Sequence, residues 1–177
     1  GWVHDLGATQ GPFSLLAAKA GARVIAVEAQ PELVPLIEDA FRRNHLADGA
    51  VTVVNALIGG STGVFASPDA WSRSMHSEGT RPAETTIETI AERHRIERFD
   101  FVKMDVEGSE FALITPGAMW LDRVRCLAGE IHAAFGSPDA LVTILESRGF
   151  QVARADANLN PVDAFRNHDG YIYAWRK

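Results

Sequence analysis

Residues 2–12 read WVHDLGATQGP and join a short apolar segment to a turn with glycines at positions 7 and 11. Residues 2–6 predict a β-strand, and Pro12 predicts the start of a helix because proline suits the first helical turn. Glycines in the turn between them let the backbone bend sharply and approach a ligand closely. This strand, turn and helix therefore predict an α/β fold with a ligand site beside its first strand.

Strand and helix patterns alternate along the rest of the chain. Further strands are predicted at residues 23–28, 50–55, 99–105, 124–131, 150–154 and 171–175. Helices are predicted from Pro12 and from Pro31, and at about 85–95, 109–114 and 138–148; a capping-box pattern, Thr85 to Glu88, introduces the third.

The apolar character of these strands indicates how the sheet is built. Residues 23–28 are apolar without alternation, which predicts a parallel strand with both faces covered. About sixteen residues without a helical pattern separate the last two strands, which favours an antiparallel hairpin. We therefore expect one α/β domain over 1–177, with a mostly parallel sheet, an antiparallel last strand and helices on both faces.

Composition excludes several classes of function. The chain has 177 residues, of which 46% are hydrophobic, as in an ordinary globular domain. Its 23 acidic and 17 basic side chains leave a net charge of −6, so we expect no nucleic-acid partner. No apolar run approaches the roughly 18 to 20 residues of a membrane span, so we expect no membrane partner. The single cysteine indicates a reducing compartment, and we expect a cytoplasmic location.

Polar side chains lie at or near the carboxyl ends of five predicted strands: Asp5, Glu28, Asn55, Asp105 and Glu130. The carboxyl ends of parallel strands meet at one edge of a sheet, where α/β proteins bind ligands at the point of strand-order reversal. The sequence therefore predicts a site at this edge.

The glycine turn indicates the kind of ligand. Asp5, Gly7 and Gly11 form the pattern D-x-G-x-x-x-G, and Glu28 follows about twenty residues later, where a carboxylate can accept the hydroxyl protons of a ribose. A nucleoside cofactor fits this pattern. The NAD fingerprint G-x-G-x-x-G needs glycine where this chain has Thr9, so an NAD-binding oxidoreductase is only the alternative.

Residues 103–110 read KMDVEGSE and place four ionisable groups at a strand end. If the strand continues to Glu107, then Lys103, Asp105 and Glu107 lie on one side of it and shift one another's proton affinities. The alternative is a solvated turn in which Glu110 lies near a helix N-terminus.

His132, two residues after Glu130, admits three interpretations. It could take a proton from a substrate hydroxyl, because the ordinary pKa of histidine lies near neutrality. It could instead hold a divalent metal with Asp105, Glu107 and Glu130, or be merely a polar strand end. We expect the catalytic role and no metal, and a divalent metal stays open as the alternative.

Five segments carry a resemblance to a known family: VHDLGA (3–8), AVEA (26–29), VVNA (53–56), FVKMDVEGSE (101–110) and EIH (130–132). In this order and spacing they resemble the FkbM family of S-adenosylmethionine-dependent methyltransferases. The K-x-D-x-E-G-x-E element is more specific than the glycine turn, which class I methyltransferases share widely. The resemblance implies a Rossmann-like class I methyltransferase fold with a seven-stranded sheet, and O-methylation of hydroxyls, often on sugars or natural-product scaffolds.

The resemblance also implies a cofactor site. Asp5, Gly7 and Gly11 would surround the methionine part of S-adenosylmethionine, Glu28 would bind the ribose, and Asp105 would lie near the sulfonium and the substrate. The full implied set is Asp5, Gly7, Ala8, Gly11, Glu28, Ala29, Asn55, Ala56 and Asp105, with Asn55 and Ala56 at the adenine edge. The chain departs from the family in having Thr9 where Asn is usual and Ala29 where Pro is usual.

Catalysis is expected from His132 as the first candidate for the base and Asp105 as the second, with Glu107 and Lys103 beside them. Residues 58–82, with Phe65, Trp71, Met75 and His76, are the predicted lid over a small-molecule or glycan hydroxyl acceptor.

The sequence starts at Gly1, and members of the family commonly have a segment before the first strand that covers the cofactor. We expect that segment to be missing here. A degenerate cofactor-binding domain without catalysis is therefore a further alternative.

Overall fold

The computed structural model describes residues 1–59 and 83–176, and its main sheet has seven strands in the order β3-β2-β1-β6-β7-β9-β8. Most of the predicted lid, residues 60–82, lies outside the described residues. The strands are β1 (Trp2–Leu6), β2 (Arg23–Glu28), β3 (Val51–Asn55), β4 (Leu57–Ile58), β5 (Glu84–Thr85), β6 (Phe99–Met104), β7 (Val124–Ile131), β8 (Gln151–Asp156) and β9 (Gly170–Trp175).

Five α-helices occur in the described residues: α1 (Pro12–Lys19), α2 (Val34–Arg43), α3 (Ile87–Arg93), α4 (Glu110–Leu113) and α5 (Pro138–Ser147). Two 3-10 turns, Met119–Arg123 and Ala133–Phe135, flank β7. None of the helices in these ranges has both the length and the apolar character needed to cross a membrane.

Helices cover both faces of the sheet, as the unbroken apolar run of β2 predicts. Val24 and Ala26 pack with side chains of α1 and α2 on one face. Ile25 and Val27 belong to the larger cluster on the other face, which includes side chains of α3 and α5. Successive residues of β2 therefore enter two different cores, and no residue from Val24 to Glu28 is left exposed.

The topology confirms the predicted fold class. β1, β2, β3, β6 and β7 are parallel, and β9 is antiparallel to both β7 and β8. The last strand does not close the sheet, because it inserts between β7 and β8 and leaves β8 at the edge. Strand order reverses between β1 and β6, so the ligand site is expected at their carboxyl ends.

Three details differ from the sequence prediction. α2 begins at Val34 rather than at Pro31. The N-cap of α3 is Thr86, whose hydroxyl accepts a hydrogen bond from the N–H of Thr89, so the predicted capping box starting at Thr85 is wrong. The two-residue strands β4 and β5 pair in a separate small sheet, and segments this short have no periodicity to detect.

His4 lies at the centre of β1 as a fully buried aromatic side chain. Its ring stacks on Phe99 with 4.9 Å between centroids, and neither ring nitrogen has a hydrogen-bond partner in the described part of the chain. Burial, with a smaller effect of His94, lowers the pKa of His4 from 6.5 to about 3. His4 therefore packs as a neutral ring whose polar atoms are left unpaired.

Replacing this ring with His4→Phe should raise the free energy of unfolding by about 1 kcal/mol at pH 7, because an unpaired buried polar group costs stability. The advantage should grow as the pH falls from 6.5 towards 3, since only the unfolded wild-type chain gains a proton at residue 4 in that range. Urea unfolding of both proteins at several pH values measures this difference. An advantage that stays constant from pH 7 to pH 4 would contradict the assignment.

Candidate active site at the carboxyl edge of the sheet

The glycine turn after β1 is fixed to both neighbouring strands. The N–H groups of Gly7 and Ala8 both donate to the Val27 carbonyl at 3.0 Å, and the Asp105 N–H donates to the Leu6 carbonyl at 3.0 Å. Gly7 has a φ of 75°, and a Cβ there would lie 1.8 Å from the Asp105 carbonyl oxygen. Only glycine allows the ends of β1 and β6 to approach this closely.

Glu28 at the end of β2 is buried against the same turn. Its carboxylate accepts the N–H of Thr9 at 2.7 Å and the N–H of Gln30 at 2.8 Å. Burial raises the pKa of Glu28, and these two donors oppose that effect. The carboxylate is thus fixed by backbone N–H groups at the end of β2, and its predicted binding of ribose hydroxyls stays a prediction.

Asn55 at the end of β3 supports the backbone beside Glu28. Its amide Nδ2 donates to the Glu28 carbonyl at 2.9 Å and to the Ala29 carbonyl at 3.2 Å. The side-chain N–H groups of Asn55 therefore hold the ends of β2 and β3 together, and the adenine contact that the family resemblance implies for this residue stays a prediction.

Asp5 and Lys103 form a buried ion pair behind the turn. Asp5 is fully buried and accepts the Ser14 hydroxyl at 2.7 Å, while Lys103 Nζ lies 3.3 Å from Asp5 and donates to the Gly7 carbonyl at 2.7 Å. Burial raises the pKa of Asp5, and Lys103 and Ser14 oppose this rise. Lys103 therefore supports the glycine turn from behind.

Residues 105–108 do not continue β6, so the expected shared strand face of Lys103, Asp105 and Glu107 is wrong. β6 ends at Met104, and Glu107 and Gly108 have φ values of 51° and 97°. The chain reverses here and carries Glu107 towards the end of β7. Asp105, Glu107 and His132 nevertheless each offer a ligand atom within 4.8 Å of the others, and these three residues could share a metal ion. Glu130 is not part of that group.

His132 is held between two glutamates. Its backbone N–H and its ring Nδ1 lie 2.6 and 2.9 Å from Glu110 Oε1, and its Nε2 lies 3.5 Å from Glu107 Oε2. Burial opposes the charged ring, but the hydrogen bond to Glu110 and the charges of Glu110, Glu107 and Glu130 raise the pKa of His132 to about 9. The ring is therefore an imidazolium at neutral pH.

Glu110 is the functional residue that sequence reasoning missed. It is 0% exposed, and its second oxygen accepts the Gly108 N–H at 2.8 Å, so the alternative of a solvated turn is wrong for this side chain. Its position in K-x-D-x-E-G-x-E gave the only available signal, since the sequence does not show which glutamate faces inwards. Glu110 fixes the orientation of the His132 ring.

Burial and neighbouring negative charges both raise the pKa values of Glu107 and Glu130. Burial raises the pKa of Glu107, and Asp105, Glu130 and Glu110 raise it further against the opposing charge of His132. Burial also raises the pKa of Glu130, with Asp105 adding to the rise. Glu107 and Glu130 therefore hold a proton more readily than exposed carboxylates do.

A narrow cleft runs along the strand ends and is lined by Gly7, Glu28, Ala29, Ala56, Leu57, Asp105, Val106 and Ser109, among others. It brings together residues that the family resemblance assigns to the methionine part, the ribose and the adenine of the cofactor. The cleft encloses about 30 Å³, far below the roughly 300 to 1,000 Å³ of ligand pockets, so in this conformation it is too small for a nucleoside.

The raised pKa of His132 predicts a stability difference that depends on pH. Its charged interactions stabilise the fold fully below pH 6.5, and this contribution is lost as the pH rises through about 9. His132→Gln should therefore be less stable than wild type at pH 6, with the difference shrinking towards pH 10. Urea unfolding across this range measures it, and His168→Gln, at an exposed position, is the control. A difference independent of pH would contradict the charged state of His132.

The fold resembles that of solved methyltransferases at low sequence identity. Precorrin-6y C5,15-methyltransferase from Geobacter metallireducens GS-15 has a TM-score of 0.51 and 16% identity, covering 99% of this chain and 80% of that chain. The N-terminal domain of human METTL16 in complex with SAH has a TM-score of 0.61 and 15% identity, covering 99% of this chain and 60% of that chain. Magnesium protoporphyrin IX methyltransferase (ChlM) from Synechocystis PCC 6803 with bound SAM has a TM-score of 0.54 and 15% identity, covering 99% of this chain and 69% of that chain.

Sequence comparison assigns the family. No curated protein matches the chain significantly. The Methyltransferase FkbM domain matches residues 5–152, a range that contains the glycine turn, Glu28, the 103–110 element and His132. The chain therefore belongs to the FkbM family of methyltransferases.

Proposed function

We propose that this chain transfers a methyl group from S-adenosylmethionine to a hydroxyl of a sugar or natural-product scaffold. Membership of a methyltransferase family supports the transfer. The observation that carries the hydroxyl acceptor is the group Asp105, Glu107 and His132, because a hydroxyl must lose a proton when it is methylated. This group lies directly beside the cofactor turn, since Asp105 follows β6 and contacts Gly7.

The described residues fit S-adenosylmethionine. Glu28 offers carboxylate lone pairs to ribose hydroxyls, and Gly7 lets a ligand approach the backbone at the end of β1. The partly exposed carboxylate of Asp105 suits a cationic sulfonium at the same strand end. When bound, this cofactor supplies an electrophilic methyl carbon. The protein contributes alignment, which can be worth roughly 7 to 11 kcal/mol of the barrier.

We assign proton acceptance to Glu107 and orientation of the hydroxyl to Asp105. His132 was the first candidate from the sequence, but an imidazolium with a pKa of about 9 has no free lone pair at neutral pH. Burial raises the pKa of Glu107, which makes its carboxylate a stronger base than an exposed one. His132 is then a positioning residue that holds Glu107 at 3.5 Å.

The loop between β8 and β9 forms the proposed acceptor site. It encloses a cavity of about 610 Å³ whose wall is rich in hydrogen-bonding groups, namely Asp156, Asn158, Asp163, Arg166, His168 and Asp169. Asp169 accepts the N–H of Ala133 at 2.7 Å, which ties the loop to the residue following His132. That hydrogen bond puts the loop next to the end of β7, and the carboxylate, amide and guanidinium groups of the cavity can bind a ligand with several hydroxyls.

Glu107→Gln should lower kcat by about 100-fold or more, because the amide cannot accept the hydroxyl proton. The dissociation constant of S-adenosylhomocysteine should stay within about twofold of wild type, since Glu107 does not line the narrow cleft along the strand ends, where we propose that the nucleoside binds. Turnover is measured as release of S-adenosylhomocysteine, and affinity by calorimetry. If Glu107→Gln keeps its turnover while His132→Gln loses it, the base is His132.

The acceptor class is tested with S-adenosylmethionine labelled with ¹³C in its methyl group. A panel of free sugars, glycosides, polyhydroxylated natural products, amines and a short RNA is incubated with the enzyme, and the ¹³C shift of the product identifies the methylated atom. We expect an O-methyl product from a hydroxyl-rich acceptor. An N-methyl product would contradict the proposal. If the protein binds S-adenosylhomocysteine but methylates none of the acceptors, a non-catalytic domain is favoured. If it binds NAD and not S-adenosylhomocysteine, the oxidoreductase is favoured.

Metal removal should leave the reaction intact. The imidazolium of His132 already provides a positive charge beside Glu107 and Glu110, so those carboxylates need no cation to balance them. Turnover after dialysis against EDTA is compared with turnover after adding Mg²⁺, Mn²⁺ or Zn²⁺. Loss of activity on dialysis and recovery with one of these ions would instead assign a metal to Asp105, Glu107 and His132.

A further inference from the structure

Tyr171 carries a phenol that the mechanism above does not use. It is the second residue of β9, and the next residue, Ile172, is buried in the core. Side chains alternate along a strand, so the Tyr171 side chain lies on the opposite face of the sheet from Ile172. On that face it stays partly exposed, and its hydroxyl has no hydrogen-bond partner in the part of the chain that the structure describes.

The pairing of β9 with β7 places Tyr171 beside the acidic turn after β6. Tyr171 pairs with Glu130 across these antiparallel strands, and directly opposite residues have Cβ atoms roughly 4.5 to 5.5 Å apart on the same face. Burial, and then the negative charges of Glu130 and Asp105, raise the pKa of the Tyr171 phenol above its ordinary value. The phenol is therefore within electrostatic reach of both carboxylates, and it is a hydrogen-bond donor at neutral pH.

Tyr171 also adjoins the loop that forms the proposed acceptor site. The wall of that cavity ends at Asp169, two residues before Tyr171, and Asp169 accepts the N–H of Ala133, the residue after His132. The phenol thus lies between this loop and the acidic turn. Tyr171 is not among the described residues that line the narrow cleft along the strand ends, so its position favours the acceptor over the nucleoside.

Glu130 supplies the group that a phenol lacks. Its carboxylate forms no hydrogen bond or ion pair with a described residue, and a carboxylate that accepts beside a phenol that donates matches a hydroxyl, which does both. Met104 pairs with Gly129, so Asp105 and Glu130 follow at neighbouring strand ends, and adjacent strands lie about 4.8 Å apart. Two hydroxyls on adjacent carbon atoms therefore fit, one at Asp105 and one between Glu130 and Tyr171.

We propose that Tyr171 and Glu130 bind a second hydroxyl of the acceptor, on the carbon next to the one whose oxygen is methylated. The acceptor is then a 1,2-diol, such as two neighbouring ring hydroxyls of a sugar. Both contacts rest on the proposed function and narrow its acceptor class. Tyr171 is a specificity residue that contacts the acceptor and leaves the cofactor alone.

The probe is the sugar, glycoside or polyhydroxylated compound of the ¹³C panel that gives the O-methyl product. It is compared with its deoxy analogues, each lacking one hydroxyl next to the methylated one. Tyr171→Phe should raise the KM of the probe about fivefold to tenfold, the usual effect of losing one hydrogen bond, and leave kcat within about twofold of wild type. One deoxy analogue should have the same KM with both proteins. Glu130→Ala should raise the KM of the probe and spare that same analogue.

Tyr173→Phe is the matched control. Tyr173 lies two residues further along the same face of β9, is 42% exposed, and pairs with Ala128 instead of a carboxylate. Loss of its hydroxyl should change neither the KM of the probe nor that of any deoxy analogue. The dissociation constant of S-adenosylhomocysteine should stay within about twofold of wild type in Tyr171→Phe and Tyr173→Phe, which shows that both variants are folded.

The outcomes separate the diol contact from the proposed function. If wild type methylates the probe and Tyr171→Phe does so with the same KM, the contact is wrong and the proposed function stands. An equal rise in KM for the probe and for every deoxy analogue also overturns the contact, since the effect would not depend on a neighbouring hydroxyl. If wild type methylates no hydroxyl of the panel, the proposed function fails and the contact fails with it.

Discussion

The site depends on one close backbone contact, between Gly7 at the end of β1 and Asp105 at the end of β6. The Leu6 carbonyl accepts the Asp105 N–H, and position 7 has no room for a side chain. Because Val27 of β2 accepts two N–H groups of the same turn, three strand ends are joined at one place. This is also where strand order reverses, so the glycine turn after β1 and the acidic turn after β6 lie next to each other.

Two charge networks stabilise the site from either side of that contact. Asp5 pairs with Lys103 behind the cofactor turn, and Glu110 pairs with His132 at the end of β7. Both carboxylates are fully buried, and each has its own cation because an uncompensated buried charge costs several kcal/mol. Asp105 and Glu107 lie between the networks, 3.8 Å from Lys103 and 3.5 Å from His132, and both stay partly exposed. Asp105 and Glu107 are therefore more accessible to a ligand than the buried Asp5 and Glu110, and their ion-pair contacts are longer.

The sheet could be predicted because the burial pattern of each strand is visible in the sequence. The site was harder to predict, because its protonation states depend on side-chain contacts that the sequence does not show. The apolar run of β2 and the helix-free loop before β9 reflect how each strand is covered, and both predictions were confirmed. The start of α2 and the pairing of β4 with β5 depend on a few residues whose tertiary contacts outweigh local preference. The protonation of His132 depends on Glu110, and the sequence does not show that Glu110 turns inwards to meet it.

The acidic element 103–110 combines a strained backbone with charged side chains. Continued strand geometry would have kept Glu107 beside Lys103, but Glu107 adopts a left-handed backbone conformation that costs a non-glycine residue about 1 kcal/mol. Glycine or asparagine would adopt it at lower cost, but neither would place a negative charge 3.5 Å from His132. The reversal sends one glutamate into the core to fix His132 and leaves the other at the ligand edge. The carboxylate is therefore what position 107 gains at the cost of this strain, both as the partner of His132 and as the group that we propose accepts the proton.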